Sequence, residues 1–153
     1  MAHPISQLYL DQQVARVSAV LLGAGAFDVA PLELACPGFD FCTLFITYTR
    51  AGAGGSVRML PEFSPVSAGA VWHRKSLYGP AVVAAGADSA SLEQRESILY
   101  TSTGAGAELS VFGPISLDGT VERLRVAAAE VGAVATPGTV EVLARFSSRD
   151  TGG

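Results

Sequence analysis

The chain is expected to be all-β, a two-sheet β-sandwich over residues 13–148 with an N-terminal arm at 1–12 and a tail at 149–153. Three observations predict this. Apolar residues recur with a period of two along most of the chain, the spacing that places alternate side chains on one face of a strand. Short Gly-rich runs punctuate those stretches: GAGAFD at 23–28, AGAGGS at 51–56, AAGADS at 84–89 and GAGAE at 104–108. The chain contains no Asn, so its turns fall to Gly and Asp, which tolerate positive φ. Finally, the 153 residues suit one domain. A chain of about 150 residues buries roughly 70% of its unfolded surface, enough for one useful core.

Taken in order, Val17, Ala19 and Leu21 alternate with Arg16, Ser18 and Val20, which predicts a half-buried strand over 13–22. A shorter strand follows at 27–34. The clearest lies at 41–50, with Cys42, Leu44, Ile46 and Tyr48 on one face and Phe41, Thr43, Phe45 and Thr47 on the other. Thr, Phe, Ile and Tyr suit a pleated surface. Brief candidates come next at 56–62, 70–75 and 79–84. A polar stretch at 90–101 ends in Ile98-Leu99-Tyr100.

Strands at 107–113 and 120–130 flank Asp118-Gly119, a hairpin signal. In the second of these, Leu124, Val126 and Ala128 should face inward and Arg123 and Arg125 outward. Helix formers are also frequent at 122–131, but the alternation and the turns at Asp118-Gly119 and Gly132 favour a strand. The last strand, 138–148, sets Val140, Val142, Ala144 and Phe146 against Glu141, Leu143 and Arg145. About nine or ten such strands indicate a sandwich or barrel.

Composition narrows the function. Net charge is −4, with nine Arg and one Lys, Lys75. The cluster His73-Arg74-Lys75 is too small an electrostatic footprint to hold a nucleic acid, so none is expected as a partner. No run approaches the roughly 18 apolar residues of a membrane span. The start, MAHPISQLYLDQQ, lacks the basic opening and apolar run of a secretory signal, so synthesis in the cytoplasm is expected. Charged residues are only 16% of the chain, below the roughly 25% of ordinary soluble proteins. Much of the surface is then left to Ala, Ser, Thr and Gly, and neighbours are expected to cover part of it. Genomic bias gives the same Ala- and Gly-rich profile.

Catalytic, metal and cofactor motifs are not found. VSAVLLGAGAFD imitates a strand entering a dinucleotide loop, but Asp28 replaces the third glycine and Pro31 follows where a helix should open. AGAGGS lacks the Lys-Ser/Thr ending of a phosphate loop and reads as a hairpin turn. There is no GxSxG elbow and no HExxH helix. Glu93 and Glu96 would point to opposite faces of a strand, and His73 reads as a structural histidine. Cys36 and Cys42, in CPGFDFC, are expected to be free thiols, although a Pro37-Gly38 turn could bring them within reach of a disulfide. No enzyme activity, cofactor or metal is expected. Sugar binding would need an exposed aromatic platform. Trp72, Tyr78, Tyr9 and Tyr100 are the candidates, with Trp72 better read as a core anchor.

From 40 to 148 the chain resembles small structural proteins of tailed-phage virions. RMLPEFSPVSAGAVWHRKS is similar to their "pe.S.dg..W" stretch, and VERLRVAAAEVGAVATPGTVEVLARFSS to their "R.R..a.E.G....PGt..v" stretch. The matching residues are Pro61, Glu62, Ser64, Trp72, Arg123, Arg125, Glu130, Gly132, Pro137, Gly138 and Thr139. The resemblance implies a jelly-roll-like sandwich that decorates or cements capsids, or forms part of a tail. It implies a homotrimer as the assembly, the major capsid protein as the partner and the capsid surface as the location. Leu8, Tyr9 and Leu10 make the arm apolar enough to lie on a sheet, either its own or a neighbour's. Tyr9, Leu10 and Trp72 are therefore the candidate interface residues.

Overall fold

The computed structural model describes residues 10–51, 55–77, 96–104, 106–131 and 136–148. Within them run eight strands: β1 (Leu10–Arg16), β2 (Leu34–Ala35), β3 (Phe41–Arg50), β4 (Ser56–Ser64), β5 (Ile98–Thr101), β6 (Gly106–Ser116), β7 (Arg123–Glu130) and β8 (Thr139–Ser147). They form two four-stranded sheets, ordered β1-β8-β3-β6 (sheet A) and β2-β7-β4-β5 (sheet B). Every pairing between these strands is antiparallel. First pairs with last, second with second-last, and so inward to β4 with β5. A long antiparallel ribbon wrapped across two sheets in this way is a jelly roll. The expected two-sheet sandwich is therefore the observed fold.

The core lies between the sheets and is built by alternation. In β3, Cys42, Leu44, Ile46 and Tyr48 are buried, and in β8 so are Val140, Val142, Ala144 and Phe146. Sheet B meets them with Val57, Met59 and Phe63 from β4 and Leu124, Val126 and Ala128 from β7. All these positions have the period of two that the sequence displays. Pro61 is tolerated inside β4 because β5 pairs only with Ser56–Met59, so that edge carries no ladder at Pro61.

Several boundaries differ from expectation. β1 starts at Leu10, so Leu10–Gln12 of the expected arm pair with β8. It ends at Arg16 rather than at 22, because a bulge between Val14 and Arg16 turns the arginine inward. There the guanidinium donates to the Asp28 carboxylate and to the carbonyls of Val20, Leu21 and Val140. Those bonds curl 17–22 into a turn. The expected strand at 27–34 shrinks to β2, since Asp28 is tied to Arg16 and accepts the Ala128 N–H. At 70–75 only one bridge forms, His73 with Phe63. The expected strand at 79–84 and most of 90–97 lie outside the described residues, as do 1–9 and 149–153.

Turn chemistry is right where connectivity is not. Asp118 and Gly119 both have positive φ, 50° and 66°, and the Thr120 N–H closes the turn on the Leu117 carbonyl at 3.0 Å. Two such residues make a tight reversal. Yet β6 belongs to sheet A and β7 to sheet B, so the reversal passes between sheets and makes no hairpin. The segment at 51–56 likewise leaves β3 in sheet A for β4 in sheet B. Gly113 is required for a different reason: its φ is 139°, and a Cβ there would lie 3.0 Å from the Cys42 carbonyl oxygen. Here Gly113 and Pro114 bulge opposite Thr43.

Truncating the inner row should be costly and truncating the outer edge should not. Leu44→Ala is expected to lose about 2–5 kcal/mol in urea denaturation. Leu109→Ala, on the surface, should stay within about 0.5 kcal/mol of the parent.

Candidate interaction surface

The two sheets treat their outer faces differently. At one end of the outer face of sheet B, residues 65–75 cross as a strap over Arg123 and Arg125. Arg123, 7% exposed, pins the strap by donating to the carbonyls of Val66 and Gly69, to Ser64 Oγ and to Glu33. The Trp72 ring is half-buried, with the guanidinium carbons of Arg123 and Arg125 over it at 4.7 and 4.2 Å. Arg125 also pairs with Glu62 at 3.0 Å, and His73 exchanges both backbone bonds with Phe63. The expectation that Arg123 and Arg125 face outward is correct in direction. Both groups are nevertheless spent on the strap rather than on solvent.

This network accounts for five of the eleven residues behind the virion resemblance. Glu62, Ser64, Trp72, Arg123 and Arg125 belong to one latch. Glu130, fully buried, accepts the Tyr48 hydroxyl at 2.8 Å and the Gly138 N–H at 3.0 Å, tying the end of β7 to the start of β8. Burial and that carboxylate raise the Tyr48 phenol above its ordinary value. The motif is a fold-holding device. Gly132 lies outside the described residues.

Sheet A has no such cover among the described residues. Val14 of β1 sits opposite Leu143 of β8, Leu143 opposite Phe45 of β3, and Phe45 opposite Val111 of β6. These four side chains point outward at one register level and cross the whole sheet, about 14 Å at the usual strand spacing. Val14, Phe45 and Val111 are 41%, 38% and 63% exposed, and Leu109, two residues from Val111, is 78% exposed. The central pairs on either side are polar, Thr43 with Arg145 and Thr47 with Glu141, while Leu109 lies beside Thr47 on the edge strand. Scattered surface apolar residues are ordinary; a contiguous row on the outer face of an antiparallel sheet is not. A second apolar cluster lines a cleft of ≈ 250 Å³ between Val17, Val20, Val29 and Leu32. Arg16 at its floor has its donors committed to protein acceptors.

Of the expected interface residues, Leu10 is exposed on β1, three strands from β6 on the same sheet. Trp72 is on the opposite sheet, in the latch, and Tyr9 lies outside the described residues. The structure does not bring Leu10 and Trp72 together. The row Val14–Leu143–Phe45–Val111 escaped sequence reading, which places only Phe45 and Leu143, each on the face opposite the buried set of its strand.

No group of three or more His, Cys, Asp or Glu among the described residues is placed to hold a metal. Cys36 and Cys42 are free and buried. Burial, helped by the nearby Glu122 charge, pushes the Cys36 thiol up to about 12. Burial and then Cys36 raise Cys42 as well, so neither thiol is a ready nucleophile. Comparison with protein-family models, curated proteins and solved structures finds no match for this chain.

Glu108, at the start of β6, is the most heavily bonded carboxylate among the described residues. It accepts from the Tyr100 hydroxyl, the Ser102 hydroxyl, and the N–H groups of Thr103 and Gly104, each at 2.9 Å. Those bonds, Tyr100 first, lower its pKa from 4.5 to about 2. A depressed carboxylate contributes stability that is fully present above its unfolded value and lost as pH falls through its folded one. The β5–β6 turn should therefore weaken between pH 4.5 and about 2. Amide exchange at Thr103 and Gly104 should rise over that window, and Glu108→Gln should abolish that pH dependence. For the latch, Arg123→Ala should cost about 2–3 kcal/mol in urea denaturation and red-shift Trp72 fluorescence. Arg123→Lys should recover only part, because an ammonium lacks the planar fork.

Proposed function

We propose that this chain is a non-enzymatic structural protein of a virion, a capsid decoration or cement protein that attaches across major capsid protein subunits. The observation that carries the reading is the apolar row Val14–Leu143–Phe45–Val111 on the open face of sheet A. A rigid sandwich with one latched face and one open apolar face suits attachment to other proteins better than turnover of a substrate. The jelly-roll topology and the residues shared with virion proteins support the setting.

The mechanism is passive. Apolar surface removed from water contributes about 25 cal/mol per Å², and several copies on one shell act together because each attachment raises the local concentration for the next. Opening the shell then requires breaking these added contacts. Sugar binding is the weaker reading, since the Trp72 ring already carries two guanidinium groups and is poorly placed to stack on a pyranose.

Purified protein added to undecorated shells should bind and raise the shell melting temperature. Phe45→Lys, on the outward face, should weaken attachment at least about tenfold while leaving the sandwich folded. Attachment to tails but not shells would move the protein to the tail. Glycan-array binding lost in Trp72→Ala would replace the assembly reading with the sugar module.

A further inference from the structure

Val140, Val142 and Ala144 point into the core, so Glu141, Leu143 and Arg145 leave β8 on the outer face of sheet A. Arg145 and Glu141 stand two residues to either side of Leu143. They therefore flank the apolar row Val14–Leu143–Phe45–Val111 with opposite signs. Arg145 is level with Gln12 and Thr43, and Glu141 with Thr47 and, beyond it on β6, Leu109. Neither charge makes an ion pair among the described residues. On sheet B, by contrast, Arg123 and Arg125 both have carboxylate partners. A face with an apolar line across its middle, a cation on one side and an anion on the other complements itself when turned about that line.

We propose that two copies of this chain stack sheet A on sheet A, with strands antiparallel, about a two-fold axis that runs along the apolar row. This turn lays Val14, Leu143, Phe45 and Val111 on the same four residues of the second copy. It sets Arg145 of each copy over Glu141 of the other, so two ion pairs border the apolar contact. It also brings each Leu109 level with the other copy's bulge at Gly113-Pro114, which lies opposite Thr43. A two-fold axis along the strands would instead bring Arg145 toward Arg145 and Glu141 toward Glu141. Charge thus selects the direction, and the apolar row selects the level. Face-to-face sheets lie about 10 Å apart, a gap that an Arg and a Glu side chain bridge together. Such a contact is isologous and closes at two copies, in place of the homotrimer that the resemblance implied. One apolar row and two exposed ion pairs make a small contact, so the pairing is reversible and depends on concentration. Because it covers the row that the proposed attachment uses, free protein keeps that row out of water until a shell takes the place of the mate. This masking rests on the proposed function; the pairing itself does not.

Size exclusion with light scattering reads the mass of the full chain, which should pass from the 15.7 kDa monomer to the dimer as concentration rises. Glu141→Arg and Arg145→Glu should each weaken dimerisation about tenfold, since each turns two attractions into two repulsions. Mixing the two variants should restore a dimer, because a face with two arginines then meets a face with two glutamates. Val111→Lys, at an exposed position of the row, should also weaken self-association, and Leu99→Lys, exposed on sheet B, should not. Unchanged circular dichroism checks that each variant is folded. A monomer or trimer at high concentration, a dimer that survives both charge reversals, or no dimer on mixing them would overturn the pairing. Once dimers form, the initial rate of attachment to shells should rise less than proportionally with protein concentration; strict proportionality would overturn the masking. Attachment to shells by a protein that never dimerises refutes this pairing alone, and a dimer that ignores shells refutes only the proposed function.

Discussion

The gap between β3 and β8 on one side and β4 and β7 on the other holds the molecule together. Each of these strands delivers every second side chain into it, and Leu44, Tyr48, Val57, Val126, Val142 and Phe146 are all fully buried there. A sheet cannot slip by one residue without turning that entire set into solvent. Register is therefore fixed by burial. The polar exceptions are satisfied on the spot, as when the Tyr48 hydroxyl donates a hydrogen bond to the buried Glu130 carboxylate.

With the inner faces committed to the core, the two outer faces are unequal. One end of sheet B is crossed by a strap whose backbone carbonyls are held by Arg123 and whose Trp72 packs beneath two cations. Losing that arginine would release an apolar face as well as a charge pair. Sheet A presents Val14, Leu143, Phe45 and Val111 side by side. The same alternation that fills the core lines up these outward residues, because antiparallel register carries one level across all four strands. One face is tied down by its own chain, and the other carries exposed apolar side chains with no cover among the described residues.

The buried arginines show how a charged side chain can shape chain path. Arg16 makes five bonds to one carboxylate and three carbonyls, and in doing so ends β1 and turns 17–20 away before Leu21 bridges Thr139. Val17, Ala19 and Leu21 retain strand-like spacing, yet the bulge before Arg16 shifts them out of the ladder. Local alternation is a statement about faces. It holds only while a neighbouring strand supplies hydrogen bonds.

The amino-acid order alone determined the all-β class, the strands read at 41–50, 120–130 and 138–148 with their inward residues, and the tight turn at Asp118-Gly119. Each of these is a local property, set by side-chain alternation or by residues that accept positive φ. Tertiary structure decided which strands pair, that Asp118-Gly119 passes between sheets, that Arg123 is buried, and that four scattered apolar residues form one row. Those outcomes depend on register between segments as far apart as Val14 and Leu143, and pairing across that distance leaves no mark in either segment taken by itself.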